Sequence, residues 1–217
     1  MTGDNIMSEL DFIYKRKSIR DYKEGIVPKE DILKLINAAV HAPSPKHQQN
    51  WHFVVLQDKE KIEKIAEAVT ESHTYIASLM DDEKERRRYM NLLPYYINFQ
   101  RSSNAVLVYG KEYDCIEEKI LKANNAPQEV VDMVTSPQSA AQGIGAAVEN
   151  FLLGAAAMGY GACYMTGPAH AKDKIEEIIG FQKEGYELMS IISIGIPADN
   201  TPEQAKRKPL EEVVTFI

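Results

Sequence analysis

Arg16, Ser18 and Arg20 stand at alternate positions in YKRKSIRDY, residues 14–22. In an extended segment, alternate side chains project from one side. Two guanidinium groups and a hydroxyl would then converge on one point. Phosphate takes such a donor set: arginine donates through a rigid fork, and serine adds a further O–H. Lys15 and Lys17 lie in the same run. The chain as a whole is acidic, with 32 Asp and Glu against 25 Lys and Arg and a formal net charge of −7. Short basic runs also form solvated faces, so these residues alone leave both a wet surface and an anion site open. A second basic run, Lys206, Arg207 and Lys208, stands near the other end and admits the same two readings. Two such runs in an acidic chain raise the case for a bound dianion.

No side-chain set in the sequence carries a reaction by itself. GIGAAV (143–148) has two glycines of a dinucleotide fingerprint, but no strand precedes it and the third glycine is absent. There is no GxSxG, phosphate-binding P-loop or HExxH. Cys115 and Cys163 are far apart and form no CxxC, and five scattered histidines give no zinc spacing. Cys163 reads as a core residue of a strand, and His47 and His52 as locally hydrogen-bonded. If the chain is an enzyme, a bound cofactor carries its chemistry.

These residues need elements to hold them. SELDFIYKR (8–16) reads as a short helix that Ser8 can cap, with the basic run at its C-terminal end, where the helix dipole favours cations. PKEDILKLINAAVHA (28–42) is a helix with Pro28 at its first position and Ile32, Leu35, Ile36, Ala39 and Val40 on one face. WHFVVLQ (51–57) is a strand. DKEKIEKIAEAV (58–69) is an amphipathic helix. Residues 71–103 read either as a solvated helix with a connecting loop or as a mobile cover over a site. AVLVY (105–109) is a strand stopped by Gly110, and 111–135 is irregular with one short helix. SPQSAAQGIGAAVENFLLGAAAMGYG (136–161) reads as the dominant helix, apolar nearly all round, hence the centre of the fold or a subunit interface. ACYMTG (162–167) is a strand and turn, AKDKIEEIIG (171–180) a helix ended by Gly180, and YELMSIISIGIP (186–197) a buried strand. The apolar C-terminal run needs a partner surface.

Strands alternate with helices, so the class is mixed α and β, with four or five strands in one sheet. A length of 217 residues suits a single domain over 1–217, with 71–135 as its lid or variable region. The acidic balance argues against general nucleic-acid or anionic-membrane binding. MTGDNIMSEL lacks a basic region followed by an apolar core, and 146–162 falls short of a span of roughly 20 apolar residues. A reducing, cytoplasmic location is therefore expected.

RKSIRDY (16–22), AVHAPSPKHQQNWHFVV (39–55), AAVENFLLGAAAMGYGACYMTG (146–167) and KRKPLEEVV (206–214) occur in that order. Together they resemble the FMN-dependent nitroreductase family nearly end to end, with 71–135 the least similar part. The resemblance implies an α+β fold, a central mostly antiparallel sheet flanked by helices, in an intertwined homodimer with one FMN per site at the dimer interface. It implies that Arg16, Ser18, Arg20 and Arg207 hold the phosphate, with Lys17 adding contacts, and that Pro43, Ser44 and His47 approach from the other subunit. Tyr164, Met165, Thr166 and Gly167 would lie along the isoalloxazine edge, with backbone N–H groups of Thr166 and Gly167 facing it. The implied activity is ping-pong transfer of electrons from NADH or NADPH to a nitroaromatic, a quinone or another small acceptor. Reductive dehalogenation, flavin fragmentation and non-catalytic flavin binding are the alternatives. His47, Asn50, Thr166 and Ala205 depart from residues common in the family.

Overall fold

The computed structural model describes residues 9–217; Ser8, expected as a helix cap, lies outside them. Four strands, β1 (Trp51–Leu56), β2 (Asn104–Lys111), β3 (Gly161–Met165) and β4 (Tyr186–Gly195), form one sheet in the order β1-β2-β4-β3. Every neighbouring pair is antiparallel. In register, Trp51 faces Gly110, Asn104 faces Ile194 and Cys163 faces Ser193.

Both faces of this sheet are covered, which explains why its strands read as nearly continuous apolar runs. Alternation sends Val106, Val108, Ile192 and Ile194 to one face, and Ala105, Leu107, Tyr109 and Ile191 to the other. The first face packs on α2 (Lys29–Ala39) and α8 (Ser139–Ala157), through Ile32, Leu35, Ile144, Val148 and Phe151. The second packs on α3 (Lys59–Ser78) and α9 (Lys172–Ile179), through Ile62, Ile65, Val69 and Ile175. The remaining helices are short: α1 (Asp11–Lys15), α4 (Glu83–Met90), α5 (Leu93–Tyr96), α6 (Ile116–Ala123) and α7 (Gln128–Thr135).

Several sequence expectations hold and several move. The α2 face is as the periodicity predicts, but Pro28 occupies the cap position with extended ψ 147°, one residue before the helix. The Asp58 carboxylate caps α3 by accepting from Lys61 N at 3.2 Å. That helix then runs nine residues past the expected end at Val69, burying His73 and Ala77. Gly110 does not stop β2. It lies inside the strand because Ile144 and Met189 occupy the space a Cβ would take. Residues 111–135 contain two helices rather than one, α6 and α7, which pack on each other.

α8 is shorter than expected, starting after a left-handed Gln138 with φ 48°. Within one chain it is buried along one face only, while Ala141, Gly145, Ala146 and Leu153 stay partly open. Gly180 ends α9 in the left-handed conformation, φ 66°, as its position predicts. The C-terminal apolar run makes only a 3-10 turn, Leu210–Glu212, and leaves Phe216 95% exposed.

Candidate functional site

The chain leaves α1 in an extended conformation, with Arg16 at φ −63° and ψ 128°. It then runs beside β3. Ser18 forms an isolated parallel bridge with Ala162, and Ile19 N donates to Ala162 O at 2.9 Å. Ile19 turns into the core over Gly161, where a Cβ would come within 2.6 Å of Ile19 Cγ2. Alternation is present, but Ile19 packs over Gly161 while Ser18 and Arg20 face the buried Cys163 thiol rather than open solvent.

The three candidate anion ligands are placed differently. Arg16 lies against α8, its Nε 3.3 Å from Glu149 Oε1, with only 18% of its side chain exposed. Arg20 reaches toward α5, its guanidinium carbon 5.7 Å from the centre of the Tyr95 ring. Its buried Nε has no hydrogen-bond partner. Ser18 and Arg20 both act on the Cys163 thiol: burial pushes that thiol up, and the Arg20 charge, with hydrogen bonding to Ser18, Asn98 and the Arg20 guanidinium, opposes it. Lys17 is partly buried and Lys15 exposed.

Beneath this segment runs a buried polar chain. The Tyr22 hydroxyl lies 2.7 Å from Ser193 Oγ and 2.7 Å from Ile19 O, and Ser193 Oγ donates to Asn98 Oδ1 at 3.5 Å. Burial, the main cause, raises the Tyr22 pKa well above the ordinary phenol value.

The second basic run comes close through a residue that sequence reasoning did not single out. Gln204 Nε2 donates to Arg16 O at 3.0 Å, bringing the 204–208 segment to the start of the clamp. Arg207 itself is exposed, and its Nη1 donates to Ala205 O at 2.9 Å.

The 43–50 loop is strained and tightly tied. Lys46, His47 and Gln49 all have positive φ, 47°, 54° and 49°, a conformation that costs a non-glycine residue about 1 kcal/mol or more. Side-chain amides hold it. Gln48 donates to Asp114 O at 2.9 Å and accepts from Asp114 N at 2.8 Å, and Asn50 Nδ2 donates to Glu112 O at 2.8 Å. Ser44 Oγ accepts from Gln49 N at 3.1 Å. Pro43, Ser44, Gln142 and Gly143 line a surface groove between this loop and the start of α8. His47 is exposed, 3.2 Å from Gln49 Nε2.

The turn after β3 is mixed in character. Tyr164 and Thr166 are exposed, while Met165 turns its side chain into the second core. Gly167 backs onto Tyr96 of α5, where a Cβ would come within 2.8 Å of the ring. Any larger residue there would displace the turn or the helix.

Arg20, whose buried Nε lacks a partner, and Ser18, which shares the Cys163 thiol with it, are donors of the kind the phosphate of FMN takes; Arg16 is instead paired with Glu149 against α8, so the expected convergence of both guanidinium groups on one point is not seen in their contacts. Glu149, Gln204, Tyr95 and Tyr96 were not found by sequence reasoning. Only Glu149 carried a signal, as a carboxylate inside an otherwise apolar helix.

Comparison with known proteins gives this arrangement a context. Residues 13–196 match the model of the nitroreductase family. A BluB-like flavoprotein from Clostridium difficile 630 superposes with a TM-score of 0.91 at 37% identity, covering 97% of this chain and 99% of that one. A protein of Archaeoglobus fulgidus, provisionally named an NADH dehydrogenase/NAD(P)H nitroreductase, is 30% identical over 88% of this chain and 86% of its own. A nitroreductase with bound FMN from Bacteroides fragilis shares the fold, with a TM-score of 0.70 at 19% identity over 97% and 100% of the two chains. No described helix is long and apolar enough to cross a membrane.

Proposed function

The chain belongs to the nitroreductase family, and from that premise we propose that it is an FMN-dependent oxidoreductase that takes electrons from NADH or NADPH and passes them to a small aromatic acceptor such as a nitroaromatic or quinone. The observation that carries this reading is the Ser18–Ala162 bridge. It sets residues 16–20 beside the strand that leads directly into Tyr164–Gly167, which supports adjoining places for the phosphate and ring ends of one flavin.

FMN, once bound, supplies the hydride and electron chemistry that no side-chain set here supplies. The chain's own residues do the rest. Arg16, Ser18 and Arg20, with Lys17 at the rim, neutralise and orient the phosphate. Backbone N–H groups of Thr166 and Gly167 stabilise negative charge on the ring edge. Tyr164 and the backbone at Met165 border it. Arg207 joins from the 204–208 segment that Gln204 tethers.

The active form is a homodimer. The open face of α8 and the exposed tail provide surface for a second copy, which contributes Pro43, Ser44 and His47 across the interface. Within 71–135, β2 is a buried strand of the sheet, so the role of lid and variable wall over the acceptor falls to the helices on either side of it, α4–α5 and α6–α7.

Anaerobic addition of NADH or NADPH to the flavin-loaded protein, followed by rapid mixing with a panel of oxidants, tests the reading. Bleaching by a nicotinamide nucleotide and fast reoxidation by nitroaromatics or quinones is expected. Reoxidation only by halogenated phenols would move the reading to reductive dehalogenation, and destruction of the flavin in oxygen would move it to flavin fragmentation. Protein that stays colourless after FMN addition would defeat it.

A further inference from the structure

Consecutive residues of α3 hold two different parts of the molecule. Ser72 bonds to the turn after β3: its Oγ donates to His170 O at 3.3 Å and lies 2.8 Å from His170 Nδ1. His73 is fully buried and bonds the other way, its Nε2 2.9 Å from Tyr89 O in the last turn of α4. The His73 ring stacks on Tyr89 at 3.9 Å and meets Tyr96 of α5 edge-on at 5.0 Å. Tyr96 rests on Gly167, and the His170 ring lies 5.9 Å from both Tyr96 and His73.

The hydrogen bonds assign the protons. A hydroxyl that donates to His170 O accepts from His170 Nδ1–H, and a carbonyl opposite His73 Nε2 requires Nε2–H. Each ring then donates through one nitrogen. Each leaves its other nitrogen, His170 Nε2 and His73 Nδ1, buried without a partner. A second proton on either ring would place a charge beside the other ring in an aromatic pocket. The titratable groups facing the pair are the two rings themselves, Tyr89 from α4 and Tyr96 from α5. Lys172 and Glu187, on the α9 and β4 elements that pack on the same turn, neutralise each other at 2.7 Å. Burial first, and His73 second, hold His170 below the ordinary histidine range.

We propose that Ser72, His73 and His170 are positioning residues that couple the α4–α5 segment to the Thr166–Gly167 turn, so that the placement of that turn depends on the hydrogen bonds these imidazoles make and on His170 staying neutral. The flavin-side consequence rests on the FMN reading; the coupling itself does not. Neutral His170 holds the turn above the ordinary histidine pKa of about 6.5, and the coupling is lost as pH falls below it.

Hydrogen exchange by mass spectrometry on the full-length protein, with and without FMN, tests this. On acidification from pH 7 to pH 5, exchange normalised to the intrinsic amide rate, which itself slows over that range, should rise together in residues 83–96 and 166–171 of the wild type. Ser72→Ala, which removes side-chain bonds to His170 alone, should raise exchange in 83–96 at neutral pH by roughly five- to tenfold, the scale of one lost hydrogen bond. The double variant His73→Gln, His170→Asn keeps a donor where each bonded nitrogen stood, and should retain neutral-pH protection while losing its pH dependence. With FMN bound, Ser72→Ala should also shift the visible flavin bands. A rise confined to one segment on acidification, or unchanged exchange in 83–96 in Ser72→Ala, overturns the coupling. Failure to bind FMN with the exchange pattern intact would instead count against the flavin reading alone.

Discussion

Arg16 Nε lies 3.3 Å from Glu149 Oε1, so the first cation of the proposed anion clamp is already held by a carboxylate of the central helix. The arginine is mostly covered, while 48% of the glutamate side chain is exposed. Glu149 therefore positions the guanidinium and also competes with an incoming phosphate. Glu149→Gln should tighten FMN binding about two- to fivefold, the range of a partly exposed ion pair. Titration calorimetry at low and high salt would show it, and weaker binding in the variant would mean that orientation outweighs competition.

Arg20 holds the buried nitrogen without a partner, whereas Arg207 is exposed and bonded to its own backbone. Arg20→Ala should weaken FMN binding by about 1.5–3 kcal/mol, the scale of hydrogen bonds to a charged group. Arg207→Ala should cost less than Arg20→Ala. Equal flavin affinity in Arg20→Ala and wild type, measured by fluorescence titration, would remove Arg20 from the phosphate site.

Gly161 and Ile19 are packed so closely that a Cβ on the glycine would overlap the isoleucine. Gly161→Ala should destabilise the fold by about 1–3 kcal/mol through overpacking. Adding Ile19→Ala should recover part of that loss, giving a non-additive double-mutant cycle in urea unfolding. Additive effects would show that the 16–22 segment shifts freely over β3.

Tyr22 bridges Ile19 O and Ser193 Oγ. Tyr22→Phe should cost about 1–2 kcal/mol by leaving those groups unpaired. Burial raises Tyr22 above the ordinary phenol range and pushes Tyr109 up to about 12. A raised folded pKa means the native state keeps protons that the unfolded chain releases. Stability from these two tyrosines is therefore complete below about pH 10 and is lost as pH rises beyond it. Thermal unfolding from pH 8 to pH 11 should show this decline, with a shallower slope in Tyr22→Phe.

Much of the fold was legible because its elements obey local rules. The face of α2 follows the helical period, and Gly180 supplies the left-handed stop of α9. Gly110 misled because a glycine in a strand was read as a stop, when its smallness serves Ile144 packed against it. The extra turns of α3 were hidden because their buried residues include His73, a polar side chain that satisfies a hydrogen bond inside an aromatic pocket. Asn50 stood out only as a departure from the family; its contact with Glu112 O gives the physical reason it is there.

The sequence by itself determined the main strands and longer helices, the mixed α and β class, and the alternation that separates Ile19 from Ser18 and Arg20. Backbone geometry imposes those periods wherever they occur. Tertiary structure alone decided that Ser18 lies beside Ala162, that Gln204 reaches Arg16, that Glu149 holds the same arginine, and that Ser72 and His73 bond in opposite directions. Those relationships join residues distant in the chain. They follow from strand order and from helix placement on the sheet, which no local period encodes.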